Sequence, residues 1–216
     1  MRAAKWIAAG IGIVAMGAVA GYAQYRDIEE PAYTIVKTDE SFELRDYPAL
    51  VVAEVTSPGD SRRQSSNRSF RRLAAYIFGQ DRPAGGDKIA MTAPVMMDRV
   101  DQNEKIAMTA PVLQEQDGDG AWRMRFVMPT KYSLETLPEA PSDITLTEMP
   151  ARRLAAVRFS GWGGDPDLVK MERALRDWIA AEGLTPASEV EYAFYDAPMV
   201  PGPLRRNEVL IEVAID

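Results

Sequence analysis

The chain has 216 residues, enough for one ordinary domain or two small fused halves, and 46% of them are hydrophobic, which supports a real core. It carries a net charge of −7 and has neither cysteine nor histidine, which excludes disulfides, thiolate nucleophiles, cysteine-ligated clusters, histidine bases and histidine ligation of haem. The acidic balance also argues against nucleic acid as a partner, because phosphate binding needs a basic footprint.

Arg2 and Lys5 precede an uncharged stretch, Trp6–Ala23, that contains Ala18-Val19-Ala20. Basic flank, apolar segment and small residues are the three parts of a secretory signal peptide. Eighteen uncharged residues also approach the roughly 20 needed to span a bilayer. Residues 1–23 are therefore expected to be a signal peptide or an N-terminal membrane anchor. Either one exports the folded part, to the periplasm or to the outward side of a membrane. Contact with the membrane is expected only through this segment.

Tyr33–Arg45 alternates as a strand, and Pro48 separates it from a second, Leu50–Thr56. A helix follows and ends at Gly79, with Phe70, Leu73, Ala74 and Ile77 on one face and Arg68, Arg71 and Arg72 off it. The octapeptide Lys-Ile-Ala-Met-Thr-Ala-Pro-Val then occurs twice, at Lys88–Val95 and Lys105–Val112. Each copy alternates and closes on a proline, so the pair predicts two antiparallel strands joined by the polar stretch Asp98–Glu104. Asp117-Gly118-Asp119-Gly120 signals a turn before a strand over Trp122–Met128.

Leu134–Asp143, with Pro138 and Pro141, predicts an extended crossover. The order then recurs, with strands at Ile144–Glu148 and Leu154–Phe159 and a glycine loop at Gly161–Gly164. A helix with Asp165 as N-cap, Pro166 in its first turn and a stripe of Leu168, Met171, Leu175 and Trp178 ends at Gly183. Strands near Val190–Tyr195 and Glu208–Ile215 complete the chain. Strands outnumber helices, which predicts an α+β fold with two helices packed on a curved antiparallel sheet. No linker is long enough to make the halves independent.

Several segments resemble the SOUL haem-binding protein family. They are Phe42–Tyr47, Tyr76–Gly79, Met91–Val95 and Met108–Val112, Phe126–Pro129, Phe159–Gly161, Tyr195–Pro198 and Arg205–Val209. They run in the family's order through a domain spanning residues 31–216. The resemblance implies a distorted antiparallel β-barrel of two pseudo-symmetric βαββ-type halves. It also implies non-enzymatic binding of haem or a related tetrapyrrole at an apolar surface around the first helix and the loop before the last strand. Those places correspond here to Phe70, Leu73, Ala74 and Ile77, and to Met199 and Val200. Arg68, Arg71 and Arg72 are candidates to pair with propionates, although such a cluster is more often a solvated helix face.

Ligation by histidine is impossible in this chain. Tyr76, Tyr195 and the methionines (Met91, Met96, Met97, Met108, Met124, Met128, Met149, Met171 and Met199) are the remaining axial candidates, each weak because methionines mostly fill cores. No metal site is expected in the protein itself. Glu208 and Glu212 fall on one strand face, where Glu208 reads as a salt-bridge partner or as a buried acid or base. An alternative is therefore a small-molecule-binding barrel like the GyrI-like domains, hydrolytic or not, and a third is an envelope scaffold.

Overall fold

A computed structural model describes residues 28–59, 61–82, 87–100, 120–197 and 199–215. The leader and the second octapeptide lie outside the described residues. The elements, in chain order, begin with β1 (Thr34–Asp39), β2 (Phe42–Tyr47), β3 (Leu50–Pro58), α1 (Arg62–Ile77), β4 (Val95–Val100) and β5 (Ala121–Val127). They continue with β6 (Thr145–Met149), β7 (Arg152–Phe159), α2 (Asp165–Ala181), β8 (Pro186–Phe194), a 3-10 turn (Gly202–Leu204) and β9 (Asn207–Val213).

The strands form one antiparallel sheet in the order β1-β2-β7-β9-β8-β4-β5-β3-β6, curled into a half-barrel. Omitting β1, the order is symmetric about the β8–β4 pair. The βαββ units are β3-α1-β4-β5 and β7-α2-β8-β9, as the family resemblance implied. Each half also lends a strand to the other: β2 pairs with β7, and β6 pairs with β3. This exchange explains physically why the halves share one core and are not separable domains.

Proline and glycine mark the boundaries as expected. Pro48 lies between β2 and β3, and α1 and α2 stop before Gly79 and Gly183, whose φ values of 70° and 70° are costly for residues with a side chain. Three expectations are corrected. Tyr33–Arg45 is a hairpin of β1 and β2, because Glu40 turns the chain with a φ of 51°. The cap of α2 is Gly164, while Asp165 and Asp167 occupy the first helical turn, where the helix dipole favours acids.

The third correction concerns the octapeptide. Residues 88–94 are not a strand, and β4 begins only at Val95. Instead, Ile89 enters the core and its amide donates to the Ile77 carbonyl (2.8 Å). The Thr92 hydroxyl donates to the Val127 carbonyl, and the Ala93 amide donates to the Glu29 carbonyl (3.0 Å). The partner of β4 within this half is β5, with Val100 opposite Ala121.

Both helices cover one face of the sheet. There Leu73, Tyr76 and Ile77 of α1 and Leu168, Leu175, Trp178 and Ile179 of α2 meet Ala53, Met97, Met124, Ala155, Val209 and Ile211. Arg82 closes the end of α1, donating to the carbonyls of Tyr76 (2.7 Å) and Ile77 (2.7 Å), where a cation complements the helix dipole.

Candidate functional site

The concave face of the half-barrel carries buried charge beside two apolar clusters, one around Tyr47, Leu154 and Leu210 and one around Val52, Met96 and Val127. Strand alternation points Arg45, Glu54, Asp98, Arg123, Arg125, Arg152, Glu191 and Glu208 to this side, opposite the helices. Asp98 accepts bonds from Arg123 (2.7 Å) and Arg125 (2.8 Å), and Arg125 also reaches Glu54 (3.1 Å). Arg152 holds Glu191 with both terminal nitrogens (2.5 and 2.9 Å). A cleft of about 670 Å³ opens over Asp98, Arg123, Arg125, Arg152 and Glu191. Among the described residues no buried side-chain nitrogen or oxygen lacks a partner, and Asp98, Arg123, Arg125, Arg152 and Glu191 are all ion-paired.

Glu208 is the hub at the other end of the same face. One oxygen accepts from Arg45 (2.6 Å) and the Tyr195 hydroxyl (2.8 Å), the other from Arg45 (3.1 Å) and Arg206 (3.0 Å). Those four bonds occupy the lone-pair sites of a carboxylate. Burial pushes its pKa up, but the hydrogen bonds and charge of Arg45, with Arg206 and Tyr195, outweigh burial and hold it below the usual range. Burial, then the adjacent Glu208 charge, raises the Tyr195 phenol well above 10.0. The arrangement is a salt-bridge hub without a free base. Glu212 is half-exposed and lies 3.9 Å from Arg152.

A second concavity has different chemistry. Between the first turns of α1, the Gly161–Gly164 loop and the segment that joins β8 to β9 runs a groove of about 530 Å³. Phe194, at the end of β8, and Trp162, in the glycine loop, are its aromatic walls. Arg62 bonds Asp165 (2.6 Å) and the Gly163 carbonyl (3.2 Å), and its guanidinium lies 5.6 Å from the Phe194 ring centre. Arg205 stacks 4.5 Å above Trp162, and Arg63 is exposed at the rim.

A separate small chamber of about 70 Å³, lined by Ile28, Phe70, Met91 and Ala197 among others, shares Phe194 and Asp196 with the groove. The volume of the groove falls within the about 300–1,000 Å³ of small-molecule sites. Gly163 makes the close approach possible. At a φ of 63°, a Cβ there would stand 2.9 Å from the Phe194 ring. Gly163→Ala should therefore lower the unfolding free energy by about 1–3 kcal/mol. Urea denaturation checks this, and an unchanged midpoint would refute the close packing.

The sequence candidates divide between core and surface. Leu73 and Ile77 are core, Ala74 is half-buried, and Phe70 is 38% exposed and edge-on to Phe126 (5.3 Å). Val200 is buried, whereas Met199 is 76% exposed. Arg68 and Arg71 are exposed, and Arg71 donates to the Asn67 carbonyl (3.2 Å). Arg72 is held by Asp143 and Asp81. The Tyr76 hydroxyl donates to the Pro138 carbonyl (2.7 Å). Met96, Met97, Met124, Met128 and Met149 are buried, Met171 is half-buried, and Met91 lines the chamber; Met108 lies outside the described residues.

Sequence reasoning missed Trp162, Phe194, Arg62 and Arg63 as a group. The one available signal was an aromatic residue set among glycines ahead of a helix. Among the described residues no cluster of acids is placed to hold a metal ion.

Comparison with known proteins follows the fold. The family model described as SOUL heme-binding protein matches residues 28–103 and 98–212, two segments that meet between the octapeptide copies. Among solved structures, the EcmrR C-terminal domain superposes with a TM-score of 0.55 at 12% identity, covering 85% of this chain and 99% of that one. A hydrolase from Listeria innocua gives 0.52 at 13%, covering 83% and 94%. EcmrR in a cryo-EM complex with DNA gives 0.58 at 12%, covering 100% and 71%. At these identities the likeness is one of fold. No curated protein matches the chain.

Proposed function

The chain belongs to the SOUL heme-binding protein family, and from that premise we propose that it binds haem or a related tetrapyrrole, without chemical conversion, in the groove beside α1. One observation carries this reading: an open slot with the aromatic walls Phe194 and Trp162 and, at its rim, the exposed Arg63, which makes no ion pair among the described residues, whereas Arg62 is held by Asp165. Flat apolar rings gain from contact with aromatic faces, and guanidinium groups hold carboxylates such as propionates. The concave cleft offers charges that are already paired, and Glu208 has no lone pair to spare for a substrate.

Phe70 lines the small chamber, while Leu73 and Ile77 lie in the core and Met199 is exposed on the segment between β8 and β9. Tyr76 and Tyr195 are engaged through their hydroxyls. Met91, which lines the chamber, is thus the side chain that offers an axial contact, through a weakly ligating thioether. A bound haem iron would supply its own redox and ligand chemistry; the protein's part is to bind and orient the ring.

Titration with hemin tests the reading. A Soret shift with quenching of tryptophan emission, saturating at one equivalent, is the expected result. Trp162→Ala and Arg63→Ala should each weaken binding about tenfold, equivalent to roughly 1.4 kcal/mol. No spectral change with the unaltered chain would end the proposal.

A further inference from the structure

The outer lip of the groove exposes more apolar surface than ligand binding needs. Met199 (76% exposed), Trp162 (66%) and Leu204 (61%) are three of the four most exposed large hydrophobic side chains among the described residues. Trp162 packs against the segment that carries Met199 and Leu204. A Cβ on Gly202 would stand 2.8 Å from the Trp162 indole nitrogen, and the Arg205 side chain ties that segment together by donating to the Val200 carbonyl (2.7 Å).

Beside the lip, α1 carries five arginines and no acid. Arg63 and, two turns on, Arg71 lie on its outward ridge and make no ion pair among the described residues. Asp165 neutralises Arg62 and Asp81 and Asp143 neutralise Arg72, so Arg63, Arg68 and Arg71 are the remaining positive charges of α1, with Arg63 in the groove beside the Trp162 indole. Tryptophan at the headgroup level and arginine opposite lipid phosphates are the usual chemistry of a bilayer surface.

The path of the chain identifies the occupant. Ile28, the first described residue, lies in the small chamber with Phe70 and Ala197. In the sequence, the uncharged run Trp6–Ala23 ends only five residues earlier, so at most about 18 Å of extended chain separates them. A retained run inserted in a bilayer would keep the side of the domain that holds Ile28 near the headgroups.

We propose that the domain docks on an anionic bilayer through Trp162, Met199 and Leu204, with Arg63 and Arg71 facing lipid phosphates and the Trp6–Ala23 run left uncut. The groove then opens at the membrane surface, where a flat apolar ligand partitions. The docking stands apart from the tetrapyrrole reading, because it is tested on ligand-free protein and survives a failed hemin titration.

The full chain, purified from membranes, is put into phosphatidylcholine vesicles with and without phosphatidylglycerol, carrying brominated acyl chains. Its intact mass should retain the leader; a chain beginning after Ala20 would overturn the proposal. Brominated lipid should quench the unaltered chain more than Trp162→Phe, since Trp6 contributes equally to both, and equal quenching would overturn it. Arg63→Glu with Arg71→Glu should reduce that difference only when phosphatidylglycerol is present; an unchanged difference would overturn the anionic docking. Trp162 emission that shifts with protein concentration in lipid-free detergent would assign the lip to a second copy of the chain and would likewise sink the idea.

Discussion

Arg45→Met should lower the unfolding free energy by about 3–5 kcal/mol, the cost of breaking a buried ion pair from one side. Glu208 is fully buried, and Arg45 supplies two of its four hydrogen bonds. Removing the guanidinium leaves the carboxylate with Arg206 and Tyr195 in a site that water does not reach. The double variant Arg45→Met with Glu208→Leu should recover most of the loss, because replacing a whole buried pair by apolar groups is often neutral. Urea unfolding measures both, and a single-variant loss below about 1 kcal/mol would show that the hub is not the tight pair described.

The same groups set the acid limb of stability. Glu208 and Glu191 are held below their ordinary value of 4.5, by arginine contacts that outweigh burial. A depressed carboxyl gives stability that is present above the unfolded value and lost as pH falls through the folded one. Asp98 runs the other way. Burial outweighs Arg123 and Arg125 and raises its pKa above 3.8, so it favours folding at low pH and opposes it as pH rises through the raised value. The urea midpoint should therefore fall as pH drops below 4.5, with Asp98 moderating the slope, and the fall should be shallower in Arg45→Met. Asp46 and Asp143 are also lowered, by Arg153 and Arg72, but these surface pairs are screened by salt and add little.

Leu73→Ala and Phe70→Ala should separate scaffold from site on one helix face. Leu73 is fully buried, and its truncation should cost about 2–5 kcal/mol through lost burial and the cavity left behind, with hemin affinity unchanged in the folded fraction. Phe70 is 38% exposed and meets Phe126 edge-on. Its loss should cost about 1 kcal/mol of stability yet weaken hemin about tenfold, which is roughly 1.4 kcal/mol of binding. Urea unfolding together with hemin titration reads both effects. Equal hemin affinities for the two variants would remove Phe70 from the site.

How far the sequence could be read is clearest at particular residues. Pro48, Gly79 and Gly183 announced boundaries because ring closure and positive φ limit what the chain can do there. Glu40 announced nothing, since glutamate is not a turn residue, and its left-handed conformation is imposed by the β1–β2 pairing. The concave face was the largest surprise. Trp122-Arg123-Met124-Arg125-Phe126 has the alternation of a strand with one wet side, yet both arginines are buried. Curling of the sheet encloses them, and their partners Asp98 and Glu54 come from other strands.

The octapeptide misled for a related reason. Its alternation is that of a strand, but Ile89 and Thr92 are held by α1 and the end of β5 instead of a ladder. On the helix, periodicity located Leu73 and Ile77 without separating core from groove. The groove itself depends on where the glycine loop and the β8–β9 segment meet α1, a long-range contact that no local pattern encodes.

The outer edge of the sheet bears on how the protein behaves when crowded. All six residues of β1 are exposed, Ile35 and Val36 among them, and an open apolar edge invites strands from other molecules. Two devices oppose that. The pairing slips between Ile35 and Lys37, so Val36 is extra and the ladder is broken mid-strand. Lys37 is ion-paired to Glu182, the residue that caps the end of α2, and Trp178 of α2 donates to Asp39 (2.9 Å), which ties the edge down to that helix. A growing fibril would have to take up a kinked template and uncover a lysine charge at every addition. At this end of the strand order, one misfit residue and one surface cation stand against strand addition.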